Sequence, residues 1–205
     1  MSVLKILKRN RSLIAISDDL GSLVAEKDAW LLPEELEKLG QLRNRTRWEQ
    51  SVAARVLLKL LMRRKLGKRA LGLKLYRKTS GGLGLRGFKT RCFLSVSHSE
   101  GWIAAAISDQ AIGVDIQKRR SLKNETALRR RISNTNDHVS NRLATLDLWA
   151  LKEAVMKAHG RGLIPQASLI QQEGLQFVGQ LGRARFDAGS IRVSRDVALA
   201  WAERL

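Results

Sequence analysis

Three strand-length segments follow one another between residues 92 and 117: CFLSVSHS, WIAAAIS and AIGVDIQ. Ser-Glu-Gly and Asp-Gln make the turns from one to the next, which is hairpin chemistry and leaves no length for a crossover helix. A parallel βαβ repeat is therefore excluded over this stretch. Long helical patterns flank it. LPEELEKLGQLRNRTRWEQSVAARVLLKLLMRRKLG (32–67) reads as a short helix and then a long one. Pro33 suits the first helical position, Glu34 and Glu35 the first turn, and Gly67 the stop. Leu143 to His159 reads as a second long helix, with Leu148, Leu151 and Val155 as its apolar stripe. SLIAIS (12–17) predicts a strand, SLKNETALRRRIS (121–133) a basic helix and NTNDHVSN (134–141) a polar loop. From Gly174 onward LQFVG, RARFD, IRVSR and VALAWAER predict a meander. Each half, 1–110 and 111–205, thus holds a long helix and several strands, and the class is α+β.

The charge narrows the partners. Among 205 residues, 38 Lys and Arg face 19 Asp and Glu, a net charge of +19. Such an excess repels itself and points to a polyanionic partner. The single cysteine, Cys92, has no internal disulfide partner, which fits a reducing, cytoplasmic compartment. The apolar LIAI near the N-terminus is cut short by SDDL, and no segment reaches membrane-spanning length. The glycine-rich KTSGGLGLRGF (78–88) reads as a loop. It lacks the lysine and spacing of a Walker phosphate loop.

Two acids stand out. Asp115 lies on the apolar strand IGVDIQ, and Glu153 lies in LWALKEAVMKAHGRGL. Alone, Asp115 is a turn-bonding strand-end acid, and Glu153 with Lys157 is a solvated i, i+4 pair worth tenths of a kcal/mol. Together they supply two hard oxygen ligands. Mg²⁺ favours such a set, its other positions going to water and substrate phosphate. Lys152 and Lys157 would then face the same phosphates. His98, beside Ser97 in SVSHS, is either a half-buried hairpin histidine or, with the serine hydroxyl, a phosphate donor. His98, His138 and His159 are scattered and form no zinc set.

IGVDIQ, then LWALKEAVMKAHGRGL, resembles the signature of the Sfp-type 4′-phosphopantetheinyl transferases. That signature is a Gly-x-Asp strand followed by a Trp-x-x-Lys-Glu-x-x-x-x-Lys helix, here Gly113, Asp115, Trp149, Lys152, Glu153 and Lys157. SVSHS and RWEQSVAAR (47–55) fit the family's upstream Ser-His step and first long helix, so the resemblance spans about residues 30 to 165. It implies a pseudo-twofold pair of α+β halves, monomeric, with coenzyme A at their junction. It implies Mg²⁺-dependent transfer of phosphopantetheine from coenzyme A to a carrier-protein serine. By the same resemblance Asp115 and Glu153 are metal ligands, and Lys152 and Lys157 contact phosphates or assist. Ser97, His98, Arg47, Lys38 and Arg55 bind coenzyme A. Gln117 stands where the family often has a second acid and joins Asp115 and Glu153 at the metal by the same resemblance, binding it directly as a weaker amide ligand or through water. Gly82 stands where the family often has a loop lysine, a role open to Lys78 or Arg86.

The expected chemistry is in-line attack on the β-phosphate, with Glu153 as the base. A basic surface would steer acidic carrier proteins. Two other readings remain: a basic nucleic-acid-binding protein, suggested by RNRTR, MRRKLGKR and ALRRR, and a transferase-like protein without activity, suggested by Gln117. Against the first, the aromatics are isolated and offer no stacking platform.

Overall fold

The computed structural model describes residues 4–9, 11–79, 81–88, 90–139, 143–160 and 166–205. The chain divides into two compact units, Met1–Gln110 and Ala111–Leu205. Each is α+β.

The first unit begins with a hairpin, β1 (Leu4–Arg9) and β2 (Ser12–Ser17). Helices α1 (Leu20–Ala25), α2 (Lys27–Trp30), α3 (Pro33–Gly40) and α4 (Arg45–Leu66) follow. Pro33 opens α3, Asn44 caps α4 through the Arg47 backbone N–H, and α4 ends at Gly67. After a 3₁₀ turn (Lys68–Gly72) come β3 (Lys74–Arg77), β4 (Leu83–Arg86), β5 (Phe93–Ser99) and β6 (Trp102–Ser108). They form an antiparallel sheet in the order β1-β2-β6-β5-β4-β3. Helix α4 lies on it, burying Val52, Val56, Leu57 and Leu61 with Leu94, Ile103, Ala105 and Ile107. Inside this core Lys59 is fully buried. Its ammonium donates to the Leu71 and Leu73 carbonyls at 3.0 and 2.6 Å and lies 3.3 Å from Glu35. A buried cation demands such saturation, so this lysine is a structural tie between α4, α3 and the 3₁₀ turn that leads into β3.

The second unit holds β7 (Ile112–Lys118), α5 (Glu125–Ile132), α6 (Thr145–His159), β8 (Ser168–Gln171), β9 (Gln176–Leu181), β10 (Ala184–Arg192) and β11 (Val197–Arg204). Its antiparallel sheet runs β7-β11-β10-β9-β8. Helix α6 packs across β7, β11, β10 and β9, and Leu148, Leu151 and Val155 are buried as their spacing requires.

Three expectations are corrected. The Asp-Gln step does not close a hairpin: β6 pairs β2 and β5, whereas β7 pairs β11 in the other sheet. The glycine-rich 78–88 segment contains strand β4, which pairs β3. Ala184–Asp187 of RARFD and Ile191–Arg192 of IRVSR lie in the single strand β10, because small residues between them continue the ladder. The predicted stop Gly-Arg-Gly reaches only Gly160 within the described residues; Arg161 and Gly162 lie outside them, as do Ser140 and Asn141 of the polar loop. Among the described residues no helix is long and apolar enough to cross a membrane.

Candidate active site of the C-terminal unit

Strand alternation puts Gly113, Asp115 and Gln117 on one face of β7. That face meets α6. A Cβ on residue 113 would stand 1.9 Å from the Ala154 carbonyl oxygen and 2.6 Å from the Ala158 nitrogen, so glycine lets the helix backbone touch the strand. Two residues further along, Asp115 meets the next part of the same helix. Its carboxylate is 3% exposed. Oδ1 accepts from Lys157 Nζ at 2.7 Å, and Oδ2 accepts from Gln117 Nε2 at 2.8 Å. Lys157 also donates to the Val114 carbonyl at 3.0 Å.

Glu153 is one turn before Lys157 on the same helix face. Burial pushes its carboxyl above the usual range. The Lys157 ammonium pulls it back down, and the Asp115 charge pushes it up again. Lys157 thus links the two acids, one turn from Glu153 on α6 and hydrogen-bonded to Asp115 on β7.

Residues 111–200 match the family model of the 4′-phosphopantetheinyl transferase superfamily. The matched stretch contains Gly113, Asp115, Gln117, Lys152, Glu153 and Lys157, and the geometry above lies wholly inside it. No curated protein matches the chain.

The donor set fits the divalent cation that resemblance to these transferases implies. A buried carboxylate on β7 faces the helix that carries a second, half-buried one, a cationic ammonium already rests on the first, and the side-chain ligands are hard oxygens. Among the described residues no cluster of three or more His, Cys, Asp or Glu is gathered, so water and substrate would supply the remaining positions.

Lys152 goes elsewhere. It is five positions from Lys157, roughly 140° around the helix at about 100° per residue, so the two cannot share a face. Its ammonium is buried and donates to Asp137 Oδ2 and to the Ile132 carbonyl, both at 2.6 Å. Asp137 in turn accepts from the Asn134 and Leu169 backbone N–H groups. Burial pushes the lysine's pKa down, and the Asp137 bond and charge pull it up. The expectation that Lys152 and Lys157 flank one phosphate is replaced by a structural pin joining α6, the turn after α5 and β8. Asp137 is the residue sequence reasoning missed; its place in the polar loop NTNDHVSN gave no signal, since its partners arrive only on folding.

In the N-terminal unit, Ser97 and His98 are neighbours on β5 and leave opposite faces of the strand, Ser97 buried and His98 exposed. Arg47 is exposed in the first turn of α4, and Lys38 is exposed in the last turn of α3. Arg55 is half-buried and donates to the Ser51 carbonyl at 3.2 Å. Desolvation lowers its pKa, Glu35 raises it and Arg77 lowers it, so this arginine sits beside the buried Glu35 network. Lys78 is exposed after β3, and the Arg86 guanidinium lies 5.8 Å from the Tyr76 ring centroid.

Proposed function

We propose that the protein transfers the 4′-phosphopantetheine group of coenzyme A to a serine of an acyl or peptidyl carrier protein, in the manner of the Sfp-type transferases, with Mg²⁺. The observation that carries this reading is the convergence of Asp115, Glu153 and Lys157 on one strand–helix contact within the stretch that matches the superfamily. Asp115 and Glu153 would hold the cation, with Gln117 beside them. When bound, Mg²⁺ supplies positive charge and Lewis acidity to the pyrophosphate.

The chain's own residues supply the rest. Lys157 carries an ammonium on a flexible stem within reach of that charge. Glu153, its carboxyl raised by burial, would accept the proton of the carrier serine. The serine oxygen then bonds to the β-phosphorus. The bond from that phosphorus to the bridging oxygen breaks, and 3′,5′-ADP leaves with the oxygen. Ser97, His98, Arg47, Lys38 and Arg55 of the N-terminal unit are proposed coenzyme A contacts. The charge of +19 suits encounter with acidic carrier proteins, an attraction that salt would weaken.

The test is incubation with coenzyme A, Mg²⁺ and a panel of apo carrier proteins, read by intact mass. At least one carrier should gain a phosphopantetheine mass only when both are present. No transfer across a broad panel, with tight binding to duplex DNA or RNA instead, would replace this reading with a nucleic-acid-binding one.

A further inference from the structure

Lys157 occupies the cation position of Asp115. Its ammonium takes Oδ1 at 2.7 Å and the Val114 carbonyl at 3.0 Å, while Gln117 takes Oδ2. Asp115 is 3% exposed, so its oxygens have little access to water as an alternative partner. A metal-free Asp115 without the lysine would be a buried anion that has lost its cation, which is costly. A divalent cation that coordinates Asp115 would approach oxygens these donors already engage, and it would repel an ammonium held on the same carboxylate. Lys157 itself is about a third exposed, and its stem starts on α6 one turn after Glu153. It can leave Asp115 without unravelling the helix.

We propose that Lys157 and the divalent cation bind Asp115 in exchange: the ammonium is the resident counter-ion of the empty site, and the cation displaces it toward the anion that arrives with the metal. Lys157 is then a positioning residue with two partners in sequence, the carboxylate first and the phosphate second. Metal alone costs the protein the lysine contact. Metal accompanied by an anion gives the lysine a new partner, so the two ligands favour each other's binding. The inference rests on the transferase reading for the identity of the metal but is tested without a carrier protein.

The experiment is calorimetric titration of MgCl₂ into the full chain without coenzyme A, for wild type, Lys157→Gln and Lys118→Gln. Lys118 lies on the same strand with its side chain on the opposite face and serves as the charge control. Removing the competitor should tighten Mg²⁺ binding by about five-fold or more, whereas the control should change it by less than about two-fold because its charge lies on the far face of the strand from Asp115. Equal tightening in both variants, no tightening in Lys157→Gln, or no Mg²⁺ binding at all overturns the exchange. If Lys157→Gln fails to fold, the wild-type protein decides. With ¹³C,¹⁵N-labelled lysine, the Lys157 ammonium signal, assigned with Lys157→Arg, should shift on adding MgCl₂; binding of Mg²⁺ with that signal unmoved overturns the exchange. Carrier modification, measured separately, keeps the two ideas apart. Normal transfer without exchange sinks only this inference, and exchange without transfer sinks only the transferase reading.

Discussion

Gly113 lies directly against the backbone of Ala154, where any side chain would stand 1.9 Å from the Ala154 carbonyl oxygen. Both obstructing groups, that carbonyl and the Ala158 nitrogen, are helix backbone, so neither can swing away as a side-chain tip could. The contact fixes the height of α6 above β7. Asp115, two residues along the strand, then falls within hydrogen-bond distance of Lys157. The Gly-x-Asp strand and the Lys-Glu helix are therefore one device, because the glycine sets the distance at which the acid and the lysine meet.

Gly113→Ala should separate strand and helix. Overpacking usually costs about 1–3 kcal/mol, and a clash with backbone on both sides belongs at or above the top of that range. Denaturant melts should show the loss, and the spacing of Asp115 from Lys157 and Glu153 should be lost with it, removing transfer activity. Gly40→Ala is the control: an added Cβ there meets nothing within 4 Å. If both variants melt like wild type, the close contact does not exist in solution.

Lys152→Met should cost stability. It leaves Asp137 buried without its cation, and breaking one side of a buried pair costs about 3–5 kcal/mol. Adding Asp137→Asn should recover part of that loss, since the uncompensated charge is then gone. A lysine that contacted coenzyme A phosphates would behave oppositely, raising the KM for coenzyme A while leaving the melting temperature in place.

Glu153 should make stability depend on pH. Its folded pKa is raised, chiefly by burial. The stabilisation this implies is fully present below the unfolded value of about 4.3 and is lost as pH rises through the folded pKa. Without divalent cations, Glu153→Gln should therefore melt above wild type at pH 7–8 and converge with it near pH 4. Mg²⁺ should close the gap at neutral pH by raising the wild type. A gap of constant size across this pH range would mean that Glu153 titrates as an ordinary exposed acid.

Local chemistry made some of this molecule legible. Pro33 and Gly67 mark helix ends that the fold keeps, and the spacing of Leu148, Leu151 and Val155 gave the buried face of α6. The partner of β7 was not legible. It is β11, from the far end of the chain, and nothing in Asp109-Gln110 distinguishes a hairpin turn from the passage between two units. Strand β10 was read as two because Ala188-Gly189-Ser190 resembles a turn. Gly189 is instead where the Trp201 ring crosses the strand, with a Cβ there only 2.3 Å from the ring. At the site, helical spacing placed Glu153 and Lys157 together, and the same spacing already set Lys152 apart. The direct contacts of Asp115 with Lys157 and Gln117, and of Lys152 with Asp137, depend on long-range packing that no local pattern encodes.

Gln117 offers the sharpest test of the site's edge. Its Nε2 donates to Asp115 Oδ2 at 2.8 Å, so it satisfies the oxygen that Lys157 does not. Gln117→Glu removes the donor and sets a second negative charge against a buried carboxylate. Without divalent cations the variant should lose about 1–3 kcal/mol, the cost of a lost hydrogen bond to a buried carboxylate, with repulsion added. With Mg²⁺ the sign reverses, because hard cations bind more tightly as ligand charge rises. The melting temperature of the variant should therefore climb further with Mg²⁺ than that of wild type, and its apparent Mg²⁺ requirement for transfer should fall. Turnover need not rise, since a tighter ground-state site does not by itself favour the transition state. A variant that is destabilised by the same amount with and without Mg²⁺ would make Gln117 a structural neighbour of Asp115 and no part of the metal site. In that case Asp115 and Glu153 would be the only protein ligands proposed for the ion.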